Sequence, residues 1–193
     1  IRPSRGLGDV YKRQLLLITG SIAAVKIPLL VSQLAKENYE IKCVLTKNAE
    51  KLIKPLSLSI LSRNPCILEE DQWSFIQSSP LHIELCNWAD ILIIAPLTAT
   101  TLSKWVTGNA DGLIPSILMA NIKPIIVAPA MNTQMWLNKA VQKNYKNLKN
   151  YENVLSLQPS EGLLACDAIG IGKIPPNDLI QFCLLYTSDA ADE

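Results

Sequence analysis

Ile125-Ile126-Val127-Ala128-Pro129-Ala130-Met131-Asn132-Thr133-Gln134-Met135-Trp136 joins an apolar, β-branched run to a turn dense in functional side chains. Such a run reads as a buried strand, and Pro129 ends it before a helix opens. The turn therefore hangs at the carboxyl end of a strand. In an open α/β sheet that edge is where ligands bind. The amide of Asn132, beside two thioethers and an indole, suits either of two tasks: holding a small polar ligand, or capping the helix that follows.

Working outward, the chain repeats the same strand-turn-helix unit. Strands are expected at 15–19, 41–45, 66–68, 91–95, 125–128 and 154–157. Helices are expected at 22–38, 49–53, 56–61, 82–89, 101–106 and 113–120, and after Asn132, where Met135, Leu137, Val141 and Leu148 share one face. Pro96 should end the fourth strand, Gly108 should close the helix before it, and the polar stretch 69–80 reads as a surface loop. Strands alternating with helices at this spacing imply a three-layer α/β fold, Rossmann-like or flavodoxin-like, with a parallel sheet covered on both faces.

The 193 residues, 49% of them hydrophobic, suffice for one sizeable core and not for two ordinary domains. With 18 basic against 17 acidic side chains and no basic cluster, there is no electrostatic footprint for nucleic acid, and a small-molecule ligand fits better. No apolar stretch has the length of a membrane span and no signal peptide is visible, so a soluble, cytoplasmic protein is expected. Five cysteines without Cys-x-x-Cys spacing suggest neither a disulfide framework nor zinc, and a single histidine argues against a His-based metal site. Cys43, Cys66, Cys86 and Cys183 lie on apolar patterns and read as packing residues. Trp73, Trp88 and Trp105 read as core or subunit-contact residues, and Trp136 as either of the two. Residues 1–14 and 184–193 lack this periodicity and resemble translated adapter or assembly sequence, which leaves 15–183 as the expected domain.

In a parallel sheet the turns at Gly20-Ser21, Thr46, Pro96 to Thr101 and Pro129 to Asn132 emerge on one edge. Small residues and hydroxyls dominate there. A phosphate prefers helix N-termini, where backbone N–H groups and the positive dipole end converge, and the hydroxyls of Ser21, Thr98 and Thr101 add donors. The turn lacks the second and third glycines of the Gly-x-Gly-x-x-Gly fingerprint, which disfavours a dinucleotide and suits a mononucleotide. Taken alone, the Gly20-Ser21 pair is equally a tight connection with Ser21 as the cap.

Several of these pieces occur together in one known family. The octet Pro129 to Trp136 resembles the Pro-x-Met-Asn-x-x-Met-Trp motif of the flavin-dependent cysteine decarboxylases. The same family shows Gly20-Ser21-Ile22-Ala23-Ala24, a histidine at His82, the Pro96-Leu97-Thr98-Ala99-Thr100-Thr101 turn and a late Leu164-Ala165-Cys166 flap, all in this order. The resemblance implies flavin mononucleotide (FMN) held by Gly20, Ser21, Ile22, Thr46, Thr98, Ala99, Thr101 and Ala130. It also implies a homo-oligomer, a trimer or a multiple of trimers, and a small-molecule substrate that is an N-acylated cysteine, 4′-phosphopantothenoylcysteine, on the way to coenzyme A. Relatives instead act on peptidyl cysteine or serve as non-catalytic flavin-binding regulatory subunits, and flavin prenyltransferases share the fold.

The chemistry explains the parts. Loss of CO2 from such a cysteine leaves a carbanion without an electron sink, and two-electron oxidation of the side chain to a thioaldehyde creates one. As the resemblance implies, Asn132 grips the carboxylate and His82 moves the proton, a task suited to an imidazole. Cys166 then protonates the ene-thiol left after CO2 departs, with Ala165 and Lys173 as further substrate contacts. By their own pattern His82 is a helix-terminal residue and Cys166 a small packing residue, although Glu161-Gly162 and Gly170-Ile171-Gly172 around Cys166 read as mobile loop. Four positions depart from the family pattern. Thr100 replaces Asn, Asp167 replaces Gly beside the thiol and favours its protonated form, and Lys173-Ile174 stands for Arg-Met, keeping a cation without the bidentate fork.

Overall fold

A computed structural model describes residues 12–74, 78–165 and 169–190, with side chains as far as 184. Six parallel strands form the sheet: β1 (Arg13–Ile18), β2 (Glu40–Leu45), β3 (Ile67–Leu68), β4 (Ile91–Leu97), β5 (Ile125–Pro129) and β6 (Val154–Ser156), in the spatial order β3-β2-β1-β4-β5-β6. The apolar runs sit where burial on both faces requires them. Leu15, Leu16, Leu17 and Ile18 are all fully buried, each contributing about 1.5–3 kcal/mol of apolar burial.

Helices cover both faces. Leu16 and Ile18 point into one core layer with α1 (Ile27–Lys36), the short α2 (Lys47–Glu50) and α3 (Pro55–Ser62) that follows it, and α9 (Asn177–Ala190). Leu15 and Leu17 point into the other, with α4 (Leu81–Trp88), α5 (Ala99–Val106), α6 (Leu113–Ala120), α7 (Thr133–Leu137) and α8 (Lys139–Leu148). A two-stranded antiparallel hairpin, β7 (Ser160–Leu163) and β8 (Ile169–Lys173), stands apart from the sheet. Among the described residues no helix is long and apolar enough to cross a membrane.

Several boundaries differ from the sequence expectation. The helix expected over 22–38 is a 3₁₀ turn, Ile22–Lys26, followed by α1, because Pro28 has no N–H to donate and is accommodated only in a first helical turn. Pro96 does not end β4, which runs to Leu97 across a register shift, an irregularity of the kind that tolerates proline in a sheet. The helix after the octet is two helices, since Asn138 leaves helical geometry and its Oδ1 accepts from Ala140 N at 2.9 Å. The stretch expected as surface loop begins as a 3₁₀ turn, Glu69–Trp73. Trp73 is 82% exposed rather than core, whereas Trp105 and Trp136 are buried and Trp88 lies under Lys42 Nζ. Gly108, with φ +72°, follows α5 as expected.

The hairpin and α9 were not anticipated at all. At the other end, Arg13 and Gln14 extend β1 two residues before the expected strand, and Arg13 grips Asp90 through its backbone N–H and guanidinium. That carboxylate holds the Arg13 guanidinium above its ordinary pKa.

Candidate functional site

The strand order reverses direction between β1 and β4, which makes that gap the topological switch point where an open α/β sheet takes its ligands. The turn after β1 carries Gly20 and Ser21, and the turn after β4 carries Thr98. Thr19 locks the two together: buried, its hydroxyl donates to Pro96 O at 2.6 Å and accepts from Thr98 N at 3.1 Å. The rim of the site is thus tied across the switch point by one side chain that the sequence pattern did not single out.

A cavity of about 550 Å³ opens at this edge, within the usual range for small-molecule sites. It collects Gly20, Ser21, Thr46, Thr98, Ala99, Thr101, Ala130 and Asn132, all of them anticipated, together with the exposed Thr100. The alternative readings of these residues turn out to be compatible. Ser21, Thr46 and Thr98 each accept a backbone N–H of the turn or helix that follows, from Ala23, Ala49 and Thr101 respectively. Capping uses the oxygen as acceptor; the hydroxyl protons of Ser21 and Thr46 remain donors for an anion, while Thr98 donates to Thr101 Oγ1 at 3.2 Å. Asn132 likewise caps α7, its Oδ1 accepting from Gln134 N at 2.8 Å, so any grip on a ligand carboxylate is a donation from Nδ2.

These residues fit FMN in kind. The Gly20-Ser21 turn and the start of α5 offer hydroxyls and N–H groups to a phosphate, and Ala99, Pro115, Ala130, Met131 and Met135 offer apolar surface to a flat ring. Lys104 donates to Asp111 Oδ2 at 2.8 Å on the same lining and holds that carboxyl below the ordinary aspartate range.

A second cavity, about 420 Å³, adjoins the first and shares Ser21, Ala130, Met131 and Asn132 with it. Ile22, Ala165 and Lys173 line this one, with the apolar Val25, Leu163 and Ile174 and a second cation, Lys26, that sequence reading missed. Lys26 lies on the 3₁₀ turn and Lys173 at the end of β8. The hairpin is fastened to the motif turn by its backbone. Met131 N donates to Gly172 O at 2.9 Å, and a Cβ on Gly172 (φ +139°) would stand 2.1 Å from Met131 O. Gly170 faces Thr133 at similar closeness, where a Cβ would meet Oγ1 at 2.4 Å. Of the glycines of 170–172, which from sequence read as a sign of a mobile loop, Gly172 is instead where two backbones approach too closely for any side chain, and Gly170 leaves room for the side chain of Thr133.

His82 lines neither cavity. It occupies the first turn of α4, and because α4 leads into the start of β4 through Ala89 and Asp90, its amino end lies toward the carboxyl edge of the sheet, on the same rim as the cavities. Cys166 and Asp167 lie outside the described residues, in the short connection between β7 and β8. The described cysteines Cys43, Cys86 and Cys183 are buried and Cys66 half-buried, away from both cavities.

The chain matches the family model described as flavoprotein over residues 6–187. It is 36% identical over 184 residues to the coenzyme A biosynthesis bifunctional protein CoaBC of Borreliella burgdorferi, covering 95% of this chain and 46% of that protein, so it spans less than half of that relative's length. The probable phosphopantothenoylcysteine decarboxylase of Streptococcus mutans is 37% identical over 174 residues, 88% of this chain and 94% of its own. Among solved structures, a cysteine-to-serine mutant of PPC decarboxylase complexed with pantothenoylaminoethenethiol matches with TM-score 0.82 at 35% identity, covering 92% of this chain and 98% of its own. The FMN binding protein AtHal3 matches with TM-score 0.80 at 35% identity, covering 92% and 97%. Six parallel strands, a ligand cavity at the switch point and these similarities lead to one conclusion: the chain belongs to the flavoprotein family of flavin-dependent cysteine decarboxylases.

Proposed function

We propose that this chain decarboxylates 4′-phosphopantothenoylcysteine to 4′-phosphopantetheine with FMN, a step of coenzyme A synthesis. The observation that carries the reading is the pair of adjoining cavities that share Asn132. One has hydroxyls and N–H groups suited to a mononucleotide. The other has apolar walls and two lysines suited to an acyl arm ending in phosphate. Bound FMN supplies the two-electron oxidation of the substrate's CH2–SH to a thioaldehyde and the return of those electrons after CO2 has left.

The residues divide the remaining work. Ser21, Thr46, Thr98 and Thr101 hold the cofactor with Gly20, Ile22, Ala99 and Ala130 giving close approach. Nδ2 of Asn132 donates to the substrate carboxylate and sets it against the cavity shared with the cofactor. Lys26 and Lys173 meet the phosphate, a charge-assisted contact that a peptide substrate would not use. His82 takes the proton, and since it lines neither cavity of its own chain, it reaches the site of a neighbouring protomer in a trimer or a multiple of trimers. Cys166, carried by the hairpin, gives a proton to the ene-thiol, with Ala165 beside it.

The test is turnover by the FMN-reconstituted protein, offered 4′-phosphopantothenoylcysteine and, separately, a peptide ending in cysteine. Release of CO2 with formation of phosphopantetheine supports the reading. Turnover of the peptide alone assigns the chain to peptidyl-cysteine decarboxylation, and FMN binding without any turnover makes it a regulatory subunit.

A further inference from the structure

Two acidic side chains line the larger cavity: Asp111, which Lys104 pairs, and Glu69, which no cation is described to pair. Glu69 follows directly on the end of β3, and its Oε1 accepts from Leu113 N at 2.6 Å, capping α6 from 44 residues away. The helix has no cap of its own, because Gly112 precedes it. Gly112 is also what admits the carboxylate: at φ +121°, it bears no Cβ, and one placed there would lie 2.7 Å from Glu69 Oε1. The only other hydrogen-bond contact of this carboxylate among the described residues, a long one from Gln72 Nε2 at 3.5 Å, goes to the same Oε1. Glu69 lines the cavity, and its second carboxylate oxygen has no described donor.

The cavity is polar in the sense of having two ends. Hydroxyls and N–H groups cluster at Ser21, Thr98 and Thr101, around β1 and β4, while the carboxylate comes from β3, which stands two strands from β1, about 10 Å along the sheet. A phosphate is drawn to the first end and disfavoured beside Glu69, the one cation described near that end besides the Asp111-paired Lys104 being Lys47, exposed at the start of α2. A neutral group bearing O–H or N–H is accepted at the second.

We propose that Glu69 is the residue that sets which way round the flavin lies, its Oε2 accepting a ribityl hydroxyl or ring N–H while its charge turns the phosphate away. The inference rests on the cofactor reading above and extends it to a residue that reading does not use. Glu69 acts directly on the cofactor, and its hold on Leu113 N fixes the position from which it does so.

Replacement by glutamine separates the two contacts. In Glu69→Gln the side-chain oxygen can keep Leu113 N–H capped, and an NH2 donor then replaces the acceptor in the cavity. Apo-protein is titrated with FMN and with riboflavin, following quenching of flavin fluorescence, and melting is followed by circular dichroism. Glu69→Gln is expected to melt like wild type and to bind both flavins about tenfold more weakly, the loss being equal because the contact is not with the phosphate. Ser21→Ala is expected to weaken FMN and leave riboflavin unchanged. Wild-type affinity of Glu69→Gln for both flavins would reduce Glu69 to a helix cap and overturn the proposal, as would a loss confined to FMN, which would put the phosphate beside Glu69. A wild-type protein that takes up neither flavin would overturn the cofactor reading beneath it.

Discussion

On the proposed reading Asn132 has two tasks for one amide, capping α7 and holding the substrate carboxylate, and substitutions can pull them apart. Aspartate at this position keeps an oxygen for Gln134 N but sets a negative charge where a carboxylate should bind. Asn132→Asp is accordingly expected to melt near wild type and to lose at least about a hundredfold in kcat/KM, a loss of transition-state binding of the order set by one charged contact. Asn132→Ala is expected to lose the cap as well, at about 1 kcal/mol of stability, read from denaturant unfolding. Lys26 carries a different expectation, a loss confined to phosphorylated substrate. Lys26→Gln should raise KM about tenfold for phosphopantothenoylcysteine and leave the dephosphorylated analogue unaffected, in steady-state assays of both. At this scale most of the cavity rim was legible, because strand-ending hydroxyls beside glycine and alanine carry their own signal. Thr19, Lys26 and Glu69 were not, since each matters only through what folding brings next to it: Pro96 O, a second lysine, and the start of α6.

Among the elements, the hairpin of β7 and β8 shows how tertiary contact escapes sequence patterning. Its strands have no alternation of apolar and polar residues, and their glycines suggest looseness, yet Gly172 is pressed onto Met131 and the two strands are held together by backbone pairing. Gly172→Ala is expected to lift the hairpin, seen as faster hydrogen exchange of Met131 N–H, and to abolish turnover. Gly108→Ala is the contrast: its backbone is also left-handed, at φ +72°, but nothing lies within 4 Å of the added Cβ. It should cost about 1 kcal/mol of stability and leave turnover intact, measured by unfolding and by assay. The sheet strands were legible because burial on both faces demands continuous apolar runs, as in Ile91 to Ala95 and Ile125 to Ala128. Boundaries set by proline were not, since Pro28 and Pro96 were absorbed by a first helical turn and by a shift in register.

For the whole molecule, burial makes a statement about alkaline pH. Desolvation pushes the Cys66 thiol up to about 12 and the Cys86 thiol up to about 11, from an ordinary value of 9.0, and pushes Cys43 up as well. The folded state keeps these protons while the unfolded chain releases them above about pH 9. Stability from this source is therefore complete below that pH and lost as pH rises toward the folded values. Melting temperature is expected to fall between pH 9 and 11, and Cys86→Ala to make the fall shallower; an equal slope in wild type and variant would contradict the assignment. Ile22, Val25 and Leu29, exposed beside the smaller cavity, are apolar surface of the kind a neighbouring protomer covers. The mass of the native particle in solution should be that of three chains or a multiple.

The account stands on flavin and substrate meeting at Asn132, each in its own cavity. Its most direct test is an anaerobic single turnover of FMN-loaded Cys166→Ser with 4′-phosphopantothenoylcysteine, recording visible flavin absorbance and CO2 together. The expected result is one CO2 per bound flavin with matching loss of the oxidised flavin's absorbance, and a product two hydrogens poorer than phosphopantetheine. Release of CO2 with the flavin spectrum unchanged and phosphopantetheine formed as normal would contradict it.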